Sequence, residues 1–144
     1  MNSRSFAAFL SQSLELLERE CPAAYGAVCG KLGERLVAIG VDDEVVRVRA
    51  RRGRLFLDRS SAPVAAQASA SRAALGALLD GRTTLTRSIL ADEIVLVGAV
   101  DDLVAFYDGL VAYFQGAVRS PSFPRLLDAF MGGIDHAVPA PGAN

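Results

Sequence analysis

Few residues in this chain could do chemistry, and their spacing argues against most reactions. The one histidine, His136, stands near the C-terminus. That excludes a multi-histidine metal site and leaves no basis for a histidine-centred triad. The two cysteines, Cys21 and Cys29, are eight residues apart. On one helix their Cα atoms would lie ~12 Å apart, too far for a disulfide. Neither has a partner at metal-ligand spacing, so both read as buried thiols in a reducing compartment. Carboxylates come in adjacent pairs: Asp42/Asp43, Asp92/Glu93 and Asp101/Asp102. Adjacent side chains diverge, and each pair falls where a turn or a helix cap is expected. An acid–base pair would need carboxylates from distant segments to converge. No GxxxxGK[ST] loop occurs, and Gly26, Gly30 and Gly33 follow no strand. The expectation is a protein without a catalytic set, a metal or a cofactor.

Charge adds little. The chain of 144 residues carries 15 basic and 16 acidic side chains, so it has no general pull towards nucleic acid or anionic membrane. One cluster stands out: Arg47, Arg49, Arg51, Arg52, Arg54 and Arg59. It could meet phosphates or an acidic partner. With net charge near zero, the favoured reading is a solvated outer sheet face whose charge discourages edge pairing, and no nucleic-acid partner is expected.

What the chain has in excess is apolar surface. Hydrophobic residues make up 51% and mean hydropathy is +0.30. The longest apolar run, Ile94 to Val100, is far short of the ~18 residues of a membrane span. Ser11, Gln12 and Ser13 break the N-terminal apolar patch, so no signal peptide is read, and a cytoplasmic location is expected.

The elements that would bury this surface follow from periodicity. Phe6, Phe9, Leu10, Leu14 and Leu17 form a helical stripe over 5–19. Pro22 suits the first turn of a second helix, in which Tyr25, Val28, Leu32, Leu36 and Ile39 keep the period until Gly40 caps it. Its Gly26, Gly30 and Gly33 suggest a close helix–helix approach. Residues 1–40 thus read as an N-terminal helical hairpin. The period then changes to two: Val46, Val48 and Ala50 alternate with arginines, Gly53 turns the chain, and 55–59 return. A third strand is expected at 64–70, with Val64, Ala66, Ala68 and Ala70 on one face. Those alanines permit either close helix packing or space for something else. Short helices at 72–80 and from Thr83 or Thr84 to Leu90 follow. Ile94 to Val97 form a strand apolar on both faces, which needs cover on both sides by helices or a second copy of the chain. Asp101 or Asp102 caps a long helix that stops at Gly116, and Ser122 with Pro124 opens a last one. Residues 132–144 read as a disordered tail. Strands segregated from helices give an α+β fold.

Over 41–116 this succession resembles the sterol carrier protein 2 (SCP-2) sterol-transfer family. A strand hairpin, "VVRVRARRGRLFLDR", is followed by a third strand running into "ASRAALGALLDGRTTLTRSILADEIVLVG". Family members likewise show a third strand, a short "LLxG" helix, a second short helix, a G-x-L-x-I-x-G strand and a long closing helix. The resemblance implies an SCP-2-like, mainly antiparallel sheet of about four or five strands covered by helices, with 41–131 as the main domain. It also implies an apolar tunnel that holds a fatty acid, acyl-CoA, sterol-like or other apolar small molecule without chemistry. Val48, Leu57, Leu85, Ile89, Phe106, Leu110 and Phe114 are the expected lining, with Phe123 and Phe130 closing one end. The alternative is an accessory or interaction module, monomer or homodimer, with the same fold and a filled core.

Overall fold

A computed structural model describes residues 5–132. Two helices, α1 (Phe6–Glu20) and α2 (Pro22–Leu32), precede strands β1 (Leu36–Val41), β2 (Glu44–Arg51), β3 (Arg54–Leu57) and β4 (Ala66–Ala70). Then come α3 (Arg72–Leu79), α4 (Leu85–Leu90), β5 (Ile94–Gly98), α5 (Val100–Arg119) and α6 (Phe123–Phe130). The five strands form one sheet in the order β3-β2-β1-β4-β5. All neighbours are antiparallel except β1 and β4, which run parallel. The α+β architecture is as expected. His136 and nearly all of the expected tail lie outside the described residues.

Local signals explain most elements. Ser5 caps α1 by accepting from Ala8 N at 3.0 Å, Ser71 caps α3 from Ala74 N at 3.0 Å, and Thr84 caps α4 from Arg87 N at 3.2 Å. The first two free amides of α1, Phe6 N and Ala7 N, donate to the Glu44 carboxylate at 2.7 and 2.8 Å. This ties the start of α1 to the start of β2.

Two expectations in the N-terminal third are overturned. The second helix does not run to Gly40. It ends at Leu32, capped by Gly33 in the left-handed region at φ 62°. Residues 36–41 form the central strand β1 instead. "LVAIGV" is apolar at nearly every position because the strand is covered on both faces: Leu36, Val37, Ala38 and Val41 are all buried. The strand also supplies the fifth member of the sheet, ahead of the arginine hairpin. Further, Gly26 and Gly30 meet nothing where a Cβ would stand, so they are not the close contact. That role falls to α5, where a Cβ on Gly116 would stand 2.5 Å from Ala24 Cβ and 2.6 Å from Leu17 Cδ1. Gly116 therefore does not stop the helix, which continues to Arg119. Its N-cap is Ala99 and not an aspartate. Asp101 and Asp102 occupy the first turn, where their charge suits the helix dipole.

The register puts Val37, Ile39, Val46, Val48, Leu55, Leu57, Ala66, Ala68, Ile94 and Leu96 on one face of the sheet. Helices α1, α2 and α5 cover it, and the described core lies between. On the other face the segment 58–65 crosses over. Arg47 donates to the carbonyls of Ser60 and Ala62, and Ala65 N donates to Leu36 O at 2.8 Å. Other arginines of the hairpin are also engaged. Arg54 bonds Glu18 at 2.9 Å, Arg49 Nε lies 3.5 Å from Asp58, and Arg51 stands over the Phe56 ring. Strand β5 departs from expectation: its inner Ile94 is buried, but Val95 and Val97 on the opposite face are 49% and 63% exposed. No described helix covers them.

Candidate ligand cavity

Between the sheet and the helices lies a cavity of about 70 Å³. Helix α1 contributes Phe6, Phe9, Leu10 and Leu14, α2 Val28 and Leu32, and α5 Phe106, Leu110, Tyr113 and Phe114. The sheet contributes Val37, Ile39, Val48, Leu55, Ala68 and Ile94. No charged side chain is among the lining residues. Ala68 and Ala70 give the sheet floor small side chains opposite the aromatic roof of α5, which is why the space remains. The Tyr113 hydroxyl is taken by Ser13 Oγ at 2.7 Å, and Ser13 Oγ in turn lies 2.8 Å from Leu10 O. Burial holds the Tyr113 phenol well above its usual pKa, with the Ser13 bond pulling weakly the other way.

Of the nine residues expected to line a site, the structure brings Val48, Leu85, Phe106, Leu110 and Phe114 together around this space. Leu57 instead borders a surface groove between α1 and β3. Ile89 packs against Leu78, Leu85 and Ile94. Phe123 and Phe130 stand behind the lining. Phe9 stacks on Phe130 with ring centroids 4.3 Å apart and meets Phe123 edge-on at 5.9 Å. Many of the lining residues that sequence reasoning did not assign to the cavity come from α1, α2 and β1, with others, such as Leu55, Ala68, Ile94 and Tyr113, from the rest of the sheet and α5. Their apolar stripes were visible, but nothing in the spacing says which sheet face a stripe will meet.

A second space opens beside the first. A surface groove of about 320 Å³ runs between α4 and α5, and Leu85 and Phe114 line both. Across its mouth Thr86 Oγ1 and Tyr107 OH are 2.6 Å apart. Elsewhere both cysteines are free and only partly buried, not the buried thiols expected, and burial pushes the Cys29 thiol up. Among the described residues no group of three or more His, Cys, Asp or Glu could hold a metal ion. No described helix is long and apolar enough to cross a membrane.

Neither a family model nor a curated protein matches the sequence. Solved structures do match the fold. A UbiJ-SCP2 ubiquinone synthesis protein superposes with a TM-score of 0.58 at 16% identity, covering 77% of this chain and 93% of its own. A crystal structure of sterol carrier protein 2 gives 0.57 at 15%, over 79% and 96%. The fold is SCP2-like. The sterol carrier protein domain 2 of Helicoverpa armigera agrees, with a TM-score of 0.55 at 11% identity over 77% and 86% of the two chains. The likeness extends over the five-stranded sheet and most of the helices that cover it.

Proposed function

We propose that this protein binds or carries a lipid or other apolar small molecule, without catalysis, in the cavity between α1, α2, α5 and the sheet. The observation that carries this reading is an apolar void with no charged lining, in a fold shared with sterol carrier proteins. Well-packed cores leave few voids larger than a water. This one has room for about five waters at the ~10–15 Å³ each requires, yet offers them no polar partners. An occupant would fill it by displacing side chains outward. Its affinity would come from apolar burial at ~25 cal/mol per Å², less the costs of association. Native mass spectrometry of the purified protein, with an organic extract of the same sample, tests the proposal. A stoichiometric apolar mass is expected. An unliganded protein that also takes up none of a panel of acyl and sterol-like molecules would refute it.

A second reading is favoured by the uncovered Val95 and Val97 on β5 and by the likeness to UbiJ-SCP2, a ubiquinone synthesis protein. In it the protein is an accessory module that meets a protein partner, or a second copy of itself, across the outer sheet face. Light scattering of the wild-type chain and of Val97→Asp would separate a homodimer from a monomer.

A further inference from the structure

The cavity reading can be narrowed to a ligand class by asking what a head group would meet. The cavity is closed towards the α4–α5 groove by Leu85 and Phe114, side chains that line both spaces. A chain passing from one space to the other would therefore have to displace these two side chains. The groove that would then receive a head group is bordered by Thr83, Thr86, Tyr107 and Gln115, and no charged residue lines it. Arg82, at its approach, is bonded to Asp80 at 2.7 Å. The Thr86 and Tyr107 hydroxyls hold two protons between them, and their mutual bond uses one. One O–H donor and several lone pairs are left for an incoming group.

The other thin wall gives the same answer on charge. Leu14 and Leu55 line both the cavity and the groove between α1 and β3. That groove carries Glu15, Glu18 and Arg54, two carboxylates to one cation, with Arg54 already bonded to Glu18 at 2.9 Å. A carboxylate or phosphate head would therefore meet hydroxyls on one side and net negative charge on the other. Desolvating an anion without a cationic partner is costly, whereas a hydroxyl or carbonyl exchanges water for Thr86 and Tyr107 at little cost.

We infer that the ligand is an amphiphile with an uncharged, hydrogen-bonding head, seated at Thr86 and Tyr107, with its chain passing Leu85 and Phe114 into the cavity. This rests on the cavity reading of the preceding section. The test loads the full chain with diphenylhexatriene, an uncharged fluorescent hydrocarbon, and displaces it with 1-dodecanol or dodecanoate at about pH 8. Dodecanol is expected to act at a concentration at least about tenfold lower. Tyr107→Phe should weaken dodecanol about fivefold. Thr86→Lys, an exposed position given a cation, should reverse the preference towards dodecanoate. Lowering the pH through the carboxylate range should bring dodecanoate close to dodecanol in the wild-type chain. Equal or tighter binding of dodecanoate at pH 8 would overturn the head-group assignment and leave the cavity reading standing. Uptake of neither the hydrocarbon nor either amphiphile would overturn the cavity reading and this inference with it.

Discussion

Ser13 of α1 and Tyr113 of α5, one hundred positions apart, share a buried hydrogen bond of 2.7 Å at the edge of the cavity. Ser13 also lies 2.8 Å from the Leu10 carbonyl, which can only accept. The serine proton therefore goes to Leu10, and Tyr113 is the donor to Ser13. The two substitutions that break this bond are not equivalent. Tyr113→Phe leaves Ser13 satisfied and should cost about 1 kcal/mol. Ser13→Ala strands a buried phenol donor and should cost more, up to ~3 kcal/mol. Urea unfolding of both variants checks the order, and the reverse order would refute this proton assignment.

The same phenol predicts an alkaline limit. Burial holds Tyr113 above its usual range, so above about pH 10 the unfolded chain loses this proton while the folded one keeps it. The folded state then binds more protons, and stability falls as pH rises, by at most ~1.4 kcal/mol per pH unit for this group. Below that range Tyr113 contributes no pH dependence. Tyr25 moves the same way by burial, so Tyr113→Phe should reduce the slope without abolishing it. Urea midpoints measured from about pH 9 to 11.5 would show this, and an unchanged slope in the variant would count against it.

Glycines in the paired helices α2 and α5 should respond with opposite signs. Gly30 in α2 meets nothing where a Cβ would stand, so Gly30→Ala should stabilise by up to ~1 kcal/mol through helix propensity. At Gly116 the new methyl would stand 2.5 Å from Ala24 Cβ. Gly116→Ala should therefore destabilise by ~1–3 kcal/mol despite the same propensity gain. Thermal unfolding of the two variants is sufficient, and stabilisation by both would show that the α2–α5 contact can yield.

Removing the Glu44 carboxylate should loosen α1. It accepts from Phe6 N and Ala7 N, a role like that of an N-cap, so Glu44→Ala should cost ~0.5–2 kcal/mol. Amide hydrogen exchange should accelerate most in the first turn of α1. A uniform acceleration across the sheet would argue for a different cause.

How far these features could be read from the sequence depends on how each segment is covered. The hairpin at 44–57 was legible because one face meets the core and the other carries arginines, which gives a clean period of two. Strand β1 was not. Covered by helices on one face and by 58–65 on the other, it has no polar face to alternate. Leu36 and Ile39 also continue the three- and four-residue steps of α2. The cue that could have decided was Gly33 as a left-handed cap directly after Leu32, in place of Gly40. The cavity was half legible for a related reason. Phe106, Leu110 and Phe114 lie on a long, strongly periodic helix, whereas the share of α1 and β1 depends on which layers meet. Of the hydroxyls of the α4–α5 groove, Thr83 or Thr84 reads as a helix cap, and Thr84 is one. That Thr86 would face Tyr107 depends on the packing of α4 against α5.

The close approach at Gly116 also sets where this molecule can give. With Ala24 and Leu17 directly against the α5 backbone there, α2 and α5 form a stiff jaw that cannot ride apart without losing its tightest contact. Across the cavity stands α4, a six-residue helix entered through Gly81 at φ 81°. Compliance is therefore one-sided: swelling of the core should swing α4 outward on its Gly81 pivot while the α2–α5 jaw keeps its spacing.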